Sequence, residues 1–547
     1  MILHPQPIPA VPDETARVAH IAFQGGNRYV QLRDRLGTIF QDEDFSDLYP
    51  NVGCTGIAPW RLALVTLMQF AENLSDREAA DAVRSRIDWK YALSLELSDP
   101  GFDYSVLTEF RQRLLQHQAE TQLFERLLEV LQSHDLLIAS GRQRTDATHI
   151  LGQVRDLSRL ELIGESLRAA LNRVARCEPD WLKSWVLTSW FDRYSKPFSE
   201  YHLPKKTSER QTQAEQIGQD SITLLEQIYS DTAPPTLRHL TSVTFLHRLC
   251  IYQFYMDESG IHWRDPSEAP ASFRFSSPHD LDMSYGRKRG SDWIGYKVQI
   301  TETCDDDAPN LITHVATTIS SKNDAATLGA IQSELAARQR APTQQFVDAS
   351  YVSAPNMVRS QAQYGIDLIG PTRLAQRWQY KQLNTYPAAA FQVDFDRQVT
   401  ICPQGQTSHL WMNSHHSNGQ PRIFVRFAKE ICAACPARAQ CTKTKTRGRQ
   451  VQFHIRAEYE ALKRAREREQ TSGYERLYSR QAGIERTMSQ LTNQMGMRRT
   501  RYRGMVKVHL QHLLTAAGLK LNRATDWLMG KKRAKTRVSA FATLAYA

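Results

Sequence analysis

Residues 293–303 read WIGYKVQITET, residues 305–310 DDDAPN and residues 311–318 LITHVATT. The first and third segments are rich in β-branched and aromatic residues with polar residues between them. The acidic, Asn/Pro-containing middle is hairpin chemistry, so the stretch predicts two antiparallel strands. Beyond the hairpin, 324–338 has helical spacing, and 345–349 (QFVDA) is a short apolar strand ending in an acid. Ser353 with Pro355 starts another helix, and 366–370 (IDLIG) is one more strand. Upstream, 141–150 (GRQRTDATHI) reads as a short strand, separated from the hairpin by a helical block over 151–284. Strand, helical block, hairpin, helix, strand, helix, strand is an α/β pattern with a mixed sheet.

The flanks differ in character. Residues 1–20 are Pro-rich at the start and predict an extended lead-in. Residues 29–138 are mostly helical: Pro59 sits in a first-turn position, Ser75–Glu78 forms a capping signal, and further helices start at Ser105 and near Glu120. Short helices with tight connections suit either a DNA-reading helix-turn-helix or a dimerisation bundle. Trp181, Trp185 and Trp190 in the block 151–284 are expected to fill a core. From 373 to 471 the pattern breaks into two β-rich patches, 391–402 and 421–427, around a His/Asn/Ser-rich loop. A long helix is expected over 474–497 and a last one over 504–528. The resulting domains are 1–138, helical; 139–372, α/β with the insertion 151–284; 373–471, Cys-containing and β-rich; 472–530, helical; and 531–547, a basic tail.

Composition narrows the function classes. The 547 residues carry 69 Lys+Arg against 58 Asp+Glu, a net charge of +11, with 41% hydrophobic residues. That excludes a collagen-like or wholly disordered chain. No stretch has the run of about 20 apolar residues that spans a bilayer, and the N-terminus lacks a secretory pattern, so the expected compartment is the cytoplasm, with no membrane partner. The charge is uneven: residues 441–547 hold 24 basic and 7 acidic residues, a net +17, leaving −6 for the remainder. Such density suits a polyphosphate partner. In 498–507 (RRTRYRGMVK), Tyr502 interleaves with Arg498, Arg499, Arg501, Arg503 and Lys507 ahead of an apolar helix, a mixture that suits phosphate contact. The run 530–537 (GKKRAKTR) reads as a solvated tail.

Three acids fall where chemistry would need them. Asp146 lies in the first strand, Asp348 ends a later one, and Glu485 lies beside the stripe Ile484, Met488, Leu491 and Met495 of the 474–497 helix, in a polar seam with Tyr478, Gln481, Ser489 and Thr492. Carboxylates at close range ionise together only around a hard dication such as Mg²⁺. Spacing alone leaves each acid open to plainer roles: a turn cap for Asp348, a surface residue for Asp146, an exposed helical glutamate for Glu485.

Five stretches resemble bacterial insertion-sequence transposases of the DDE superfamily. They are 45–116 (FSDLYP through LTEFRQRLLQ), 144–149 (RTDATH), 277–307 (SPHDLDMSYGRKRGSDWIGYKVQITETCDDD), 346–353 (FVDASYVS) and 478–523 (YSRQAGIERTMSQ through LKLNR). The resemblance implies a retroviral-integrase-like RNase H fold and a helical N-terminal transposase domain. It also implies Asp146, Asp348 and Glu485 as catalytic acids binding Mg²⁺ (or Mn²⁺). The partners it implies are double-stranded DNA, as terminal inverted repeats and target, and other copies of the chain in a homodimer or higher synaptic assembly associated with the nucleoid. Of the family's tyrosine–arginine–glutamate–lysine signature, Tyr478 and Glu485 fit. The arginine position holds Gln481, with Arg480 adjacent, and the lysine position holds Thr492. Tyr478, Arg480, Arg498, Arg499, Arg501, Tyr502, Arg503 and Lys507 are the expected DNA contacts. A DNA-binding protein without catalysis and a metal-dependent nuclease are the rival readings.

Cys402, Cys432, Cys435 and Cys441 have the spacing C-x29-C-x2-C-x5-C. Four soft ligands suit tetrahedral structural zinc. The alternatives are four ordinary thiols, or a partial set completed by His409, His415 or His416. Cys54, Cys177, Cys250 and Cys304 are expected to be packing residues.

Overall fold

A computed structural model describes residues 2–531 except 51–52, 54–55, 155–156, 266–267, 269–276, 289, 374–377 and 383. Cys54 and, beyond Lys531, the basic tail therefore lie outside the described residues. The central sheet is mixed. Strand Arg142–Leu151 pairs antiparallel with Ser291–Thr303 on one side and parallel with Gln344–Val347 on the other, and Asp367–Ile369 extends the parallel side. Ser291–Thr303 carries Ser284–Lys288 and Ile312–Ile319 at its two ends, both antiparallel. The expected hairpin thus forms around the acidic turn, within one or two residues of the bounds predicted for it.

Each face of the sheet has its own cover. Tyr296, Val298 and Ile300, at alternate positions of one strand, point into a core shared with the N-terminal helices, the stripe Ile484, Met488, Leu491 and Met495, and the C-terminal helix Met505–Leu528. On the opposite face Ala147, Val347 and Leu368 meet Leu328, Met357 and Ala465 from helices Asp324–Ala337, Ala354–Tyr364 and Arg456–Glu469. Helix Met505–Leu528 packs on Pro59–Ala71, Gln122–Ser133 and strand Ile312–Ile319, so the N-terminal helices are docked on the sheet domain. The approach is close at Gly518, where a Cβ would stand 2.7 Å from the Ala71 nitrogen. Arg28–Asp526 (3.2 Å) ties helix Arg28–Leu36 to the same C-terminal helix, and a buried Lys520, whose Nζ donates to the Phe124 carbonyl at 2.9 Å, ties that helix to Gln122–Ser133.

The helical block has its own core, in which Trp190 is buried and Trp181 and Trp185 are packed at its edge, as expected. Four expectations are corrected. The block expected to be helical over 151–284 also holds an antiparallel hairpin, Phe254–Asp257 with Gly260–Trp263, whose tight turn is closed at Gly260 with positive φ. A helix, Asp13–Ala22, occupies the N-terminal lead-in, because Asp13 and Glu14 follow Pro12 as favourable first-turn acids. The His-containing loop includes an edge strand, Leu410–His415, paired with Pro421–Arg426. The expected helix over 474–497 is broken into Tyr474–Tyr478, a 3-10 turn Ser479–Ala482, a helix Gly483–Ser489 and a π turn Gln490–Gln494. Among the described residues no helix is long and apolar enough to cross a membrane.

Candidate functional site

The register between the two parallel strands sets the geometry. Thr145 is the partner of Val347, so the next residues, Asp146 and Asp348, lie side by side, Asp146 midway along its strand and Asp348 just past the end of the other. Asp146 pairs with Ile300 and lies on the sheet face that meets the Glu485 segment. Its Oδ1 accepts from the Ala147 N–H at 2.7 Å. Asp348 accepts from the Ser350 N–H at 2.8 Å, and the Ser350 hydroxyl reaches both Asp348 and, at 3.2 Å, Asp324. Asp324 in turn is bridged to Lys297 at 2.9 Å.

Two tyrosines register the nearness of these acids. Burial pushes the Tyr351 hydroxyl well above its ordinary value, and Asp324, Asp146 and Asp348 add to it. Tyr478 is raised by burial first, then by Tyr474, Asp348 and Asp146, and its hydroxyl donates to the Val347 carbonyl at 3.2 Å.

Glu485 is exposed on helix Gly483–Ser489. With Asp146, Thr492 and Arg498 it lines a cleft of about 250 Å³. The structure therefore brings Asp146 next to Asp348 and, separately, into one cleft with Glu485. Among the described residues no group of three or more His, Cys, Asp or Glu side chains is arranged to hold a metal ion. Gln481 donates from Nε2 to the Thr145 carbonyl at 3.1 Å, and Thr492 is buried with its hydroxyl donating to the Met488 carbonyl at 2.7 Å. Neither occupant of the arginine and lysine positions points a cation into the cleft. Arg498 flanks it, with Nη1 donating to the His149 carbonyl at 2.6 Å.

The other basic residues sort into two groups. Arg499, Arg503 and Lys507 are exposed. Arg501 turns inward, donating to the Leu74 carbonyl (2.8 Å) and Asn73 Oδ1 (2.6 Å) with its guanidinium over Phe70, and Tyr502 packs against the main core. Arg480 pairs with Asp306 at 2.7 Å, while its carbonyl accepts from Arg144.

Sequence reasoning missed a buried charge network behind the cleft. Glu302, wholly buried, accepts from Arg144 Nε (2.7 Å), Arg523 Nη1 (2.7 Å) and the Thr487 hydroxyl. Burial raises its pKa, but Arg523 and Arg144 outweigh that and hold the carboxyl below its ordinary value. Arg523 also donates to Gln490 Oε1 at 2.8 Å, and Arg144 packs on Gly483, where a Cβ would lie 2.0 Å from its Nη1. One acid thus joins two strands, the Glu485 segment and the C-terminal helix. The signal was a lone glutamate at an inward-facing strand position.

In the β-rich module, Cys402, Cys432, Cys435 and Cys441 line one small cavity; His409, His415 and His416 do not. Burial pushes the Cys441 thiol up to about 11, with the other three cysteines adding to the rise and Arg449 opposing it. Cys250 and Cys304 are buried, whereas Cys177 is exposed, contrary to its expected packing role, because it ends its helix at the surface.

Residues 21–113 match the family Transposase domain (DUF772), and residues 401–525 match the family Transposase DDE domain. Both are transposase families. Taken in chain order, the two matches support an insertion-sequence transposase of the DDE type. The second match contains Glu485 and all four module cysteines; Asp146 and Asp348 lie in neither. No curated protein and no solved structure matches the chain.

Proposed function

We propose that this chain binds the terminal inverted repeats of its element, cleaves DNA there and joins the freed 3′-hydroxyl to target DNA, using Asp146, Asp348 and Glu485. The observation that carries the reading is the parallel register that sets Asp146 beside Asp348 while Asp146 shares a cleft with Glu485. The sheet order also supports an RNase H-like core: an antiparallel hairpin on one side of the Asp146 strand, two parallel strands on the other. Three carboxylates are hard oxygen donors that suit Mg²⁺ or Mn²⁺. When bound, such ions activate water and stabilise the leaving oxygen of an in-line displacement.

The remaining work falls to the chain. Tyr478 and Gln481 fasten the Glu485 segment to the strands bearing the two aspartates. Arg498 supplies positive charge at the cleft edge, and Arg499, Arg503 and Lys507 grip phosphates outside it. Residues 1–138 recognise the element ends, 139–372 and 472–530 form the catalytic core, and synapsis of two ends requires a dimer or larger assembly.

The test is incubation with labelled element ends, target plasmid and Mg²⁺. Joined products are expected. Cleavage without joining would make the protein a nuclease, and a mobility shift without cleavage a DNA-binding protein. Asp348→Asn should abolish chemistry and leave the shift.

A further inference from the structure

The β-rich module packs a sheet of three short strands and a two-stranded hairpin around Phe391, Ile423, Val425, Phe427, Val451 and Phe453. Tyr386, Val393, Phe395, Trp411 and Tyr459 pack against these six only partly buried, and three of the four module cysteines lie in or beside this small core, where a bound metal can add a staple. Among the described residues lining the module's small cavity, the four cysteines are the soft donors. Cys402 follows strand Val399–Ile401, Cys432 lies in helix Lys429–Ala433, Cys435 comes just after it, and Cys441 ends helix Arg438–Cys441. Two pieces of chain, the turn after Val399–Ile401 and the segment 432–441, thus deliver four thiols to one cavity.

Two of the sulfurs already accept backbone hydrogen bonds. The Gln406 N–H donates to Cys402 Sγ at 3.4 Å, across a tight turn closed by Cys402 N–H to the Gln406 carbonyl at 2.8 Å. The Arg449 N–H donates to Cys432 Sγ at 3.3 Å. N–H groups aimed at sulfur stabilise the thiolate over the thiol, as outer partners of metal ligands do. All four cysteines are free thiols, though not drawn in to ligand distances.

We propose that Cys402, Cys432, Cys435 and Cys441 together bind one structural zinc ion, which closes the cavity and fixes the module between the last sheet strand and the Glu485 segment. The site stands apart from the strand-transfer reading, since it requires neither DNA nor the acids. Metal analysis of the purified full chain should give one zinc per chain, and cobalt loading should give the visible bands of a tetrahedral tetrathiolate site. Cys432→Ser/Cys435→Ser should lose both, Cys441→His should retain the metal, and Cys250→Ser should be indistinguishable from wild type. Wild-type protein that holds no zinc after exposure to it, or a double serine variant that keeps its zinc, would overturn the proposal. Both readings are independent of whether the variants cut DNA.

Discussion

Gln481 Nε2 donates to the carbonyl oxygen of Thr145, 3.1 Å away, joining the segment that carries Glu485 to the strand that carries Asp146. Gln481 is buried, and its Oε1 has no partner among the described residues. The amide thus works through its donor alone. Gln481→Ala should cost about 1 kcal/mol, the worth of a typical hydrogen bond. Gln481→Glu should cost more, because a carboxylate would face a carbonyl with no proton between them. Denaturant midpoints of the two variants check this order, and a glutamate variant as stable as wild type would show that the Gln481 donor does not hold the two segments together.

The Glu302 network makes a larger demand. Arg523 touches Glu302, Thr487 and Gln490 at once, so Arg523→Met leaves a fully buried carboxylate with Arg144 as its remaining cation. Breaking a buried pair from one side typically costs about 3–5 kcal/mol. Equilibrium unfolding should show a loss of that order, and adding Glu302→Gln should restore part of it, because the stranded charge is gone. No recovery would mean that Arg523 acts by packing.

Exposed and inward-facing arginines should behave differently on DNA. Arg499→Ala, Arg503→Ala and Lys507→Ala should each leave the melting temperature unchanged. Each should also lower the slope of log affinity against log salt by about one. Arg501→Ala should instead lower stability, since its guanidinium is spent on Leu74, Asn73 and Phe70. Alanine at Arg480 should impair end processing more than alanine at Lys532 in the tail. Binding measured at several salt concentrations, beside thermal melts, separates the groups.

What the sequence made legible follows from how local each signal is. The hairpin, the short parallel strands and the Ser75 and Ser353 caps were readable because alternation, turn residues and capping act within a few positions. The break in the 474–497 helix was not, because an isolated glycine such as Gly483 is tolerated within a helical pattern and does not by itself mark a break. At the break, Arg144 lies against Gly483 and donates to the Arg480 carbonyl, a contact across more than 300 positions. Pairing of Glu302 with Arg523 was hidden for the same reason. The edge strand Leu410–His415 is not legible because one side of it has no partner strand among the described residues and its residues do not alternate. For the candidate site, the acids were legible as residues, but only the Thr145–Val347 register shows why two of them are neighbours.

His512 offers a pH test of the helix that binds the N-terminal helices to the sheet. Its ring is wholly buried, its Nδ1 lies 2.8 Å from the Thr317 hydroxyl, and its Nε2 has no partner among the described residues. Burial, with His509 adding to it, lowers its pKa to about 3. Folded, the ring stays neutral; unfolded, it takes up a proton near its ordinary value of about 6.5. The stability it contributes is therefore complete above that value and is lost as pH falls toward about 3. In that window the wild type should lose stability faster than His512→Asn, which keeps a polar group near Thr317 but cannot titrate. The difference in slope should approach about 1.4 kcal/mol per pH unit. Acid sensitivity from Glu302 is common to both proteins and cancels in the comparison. Urea unfolding at pH values from 7 to 4 measures the two slopes, and parallel lines would show that His512 is not a source of acid lability.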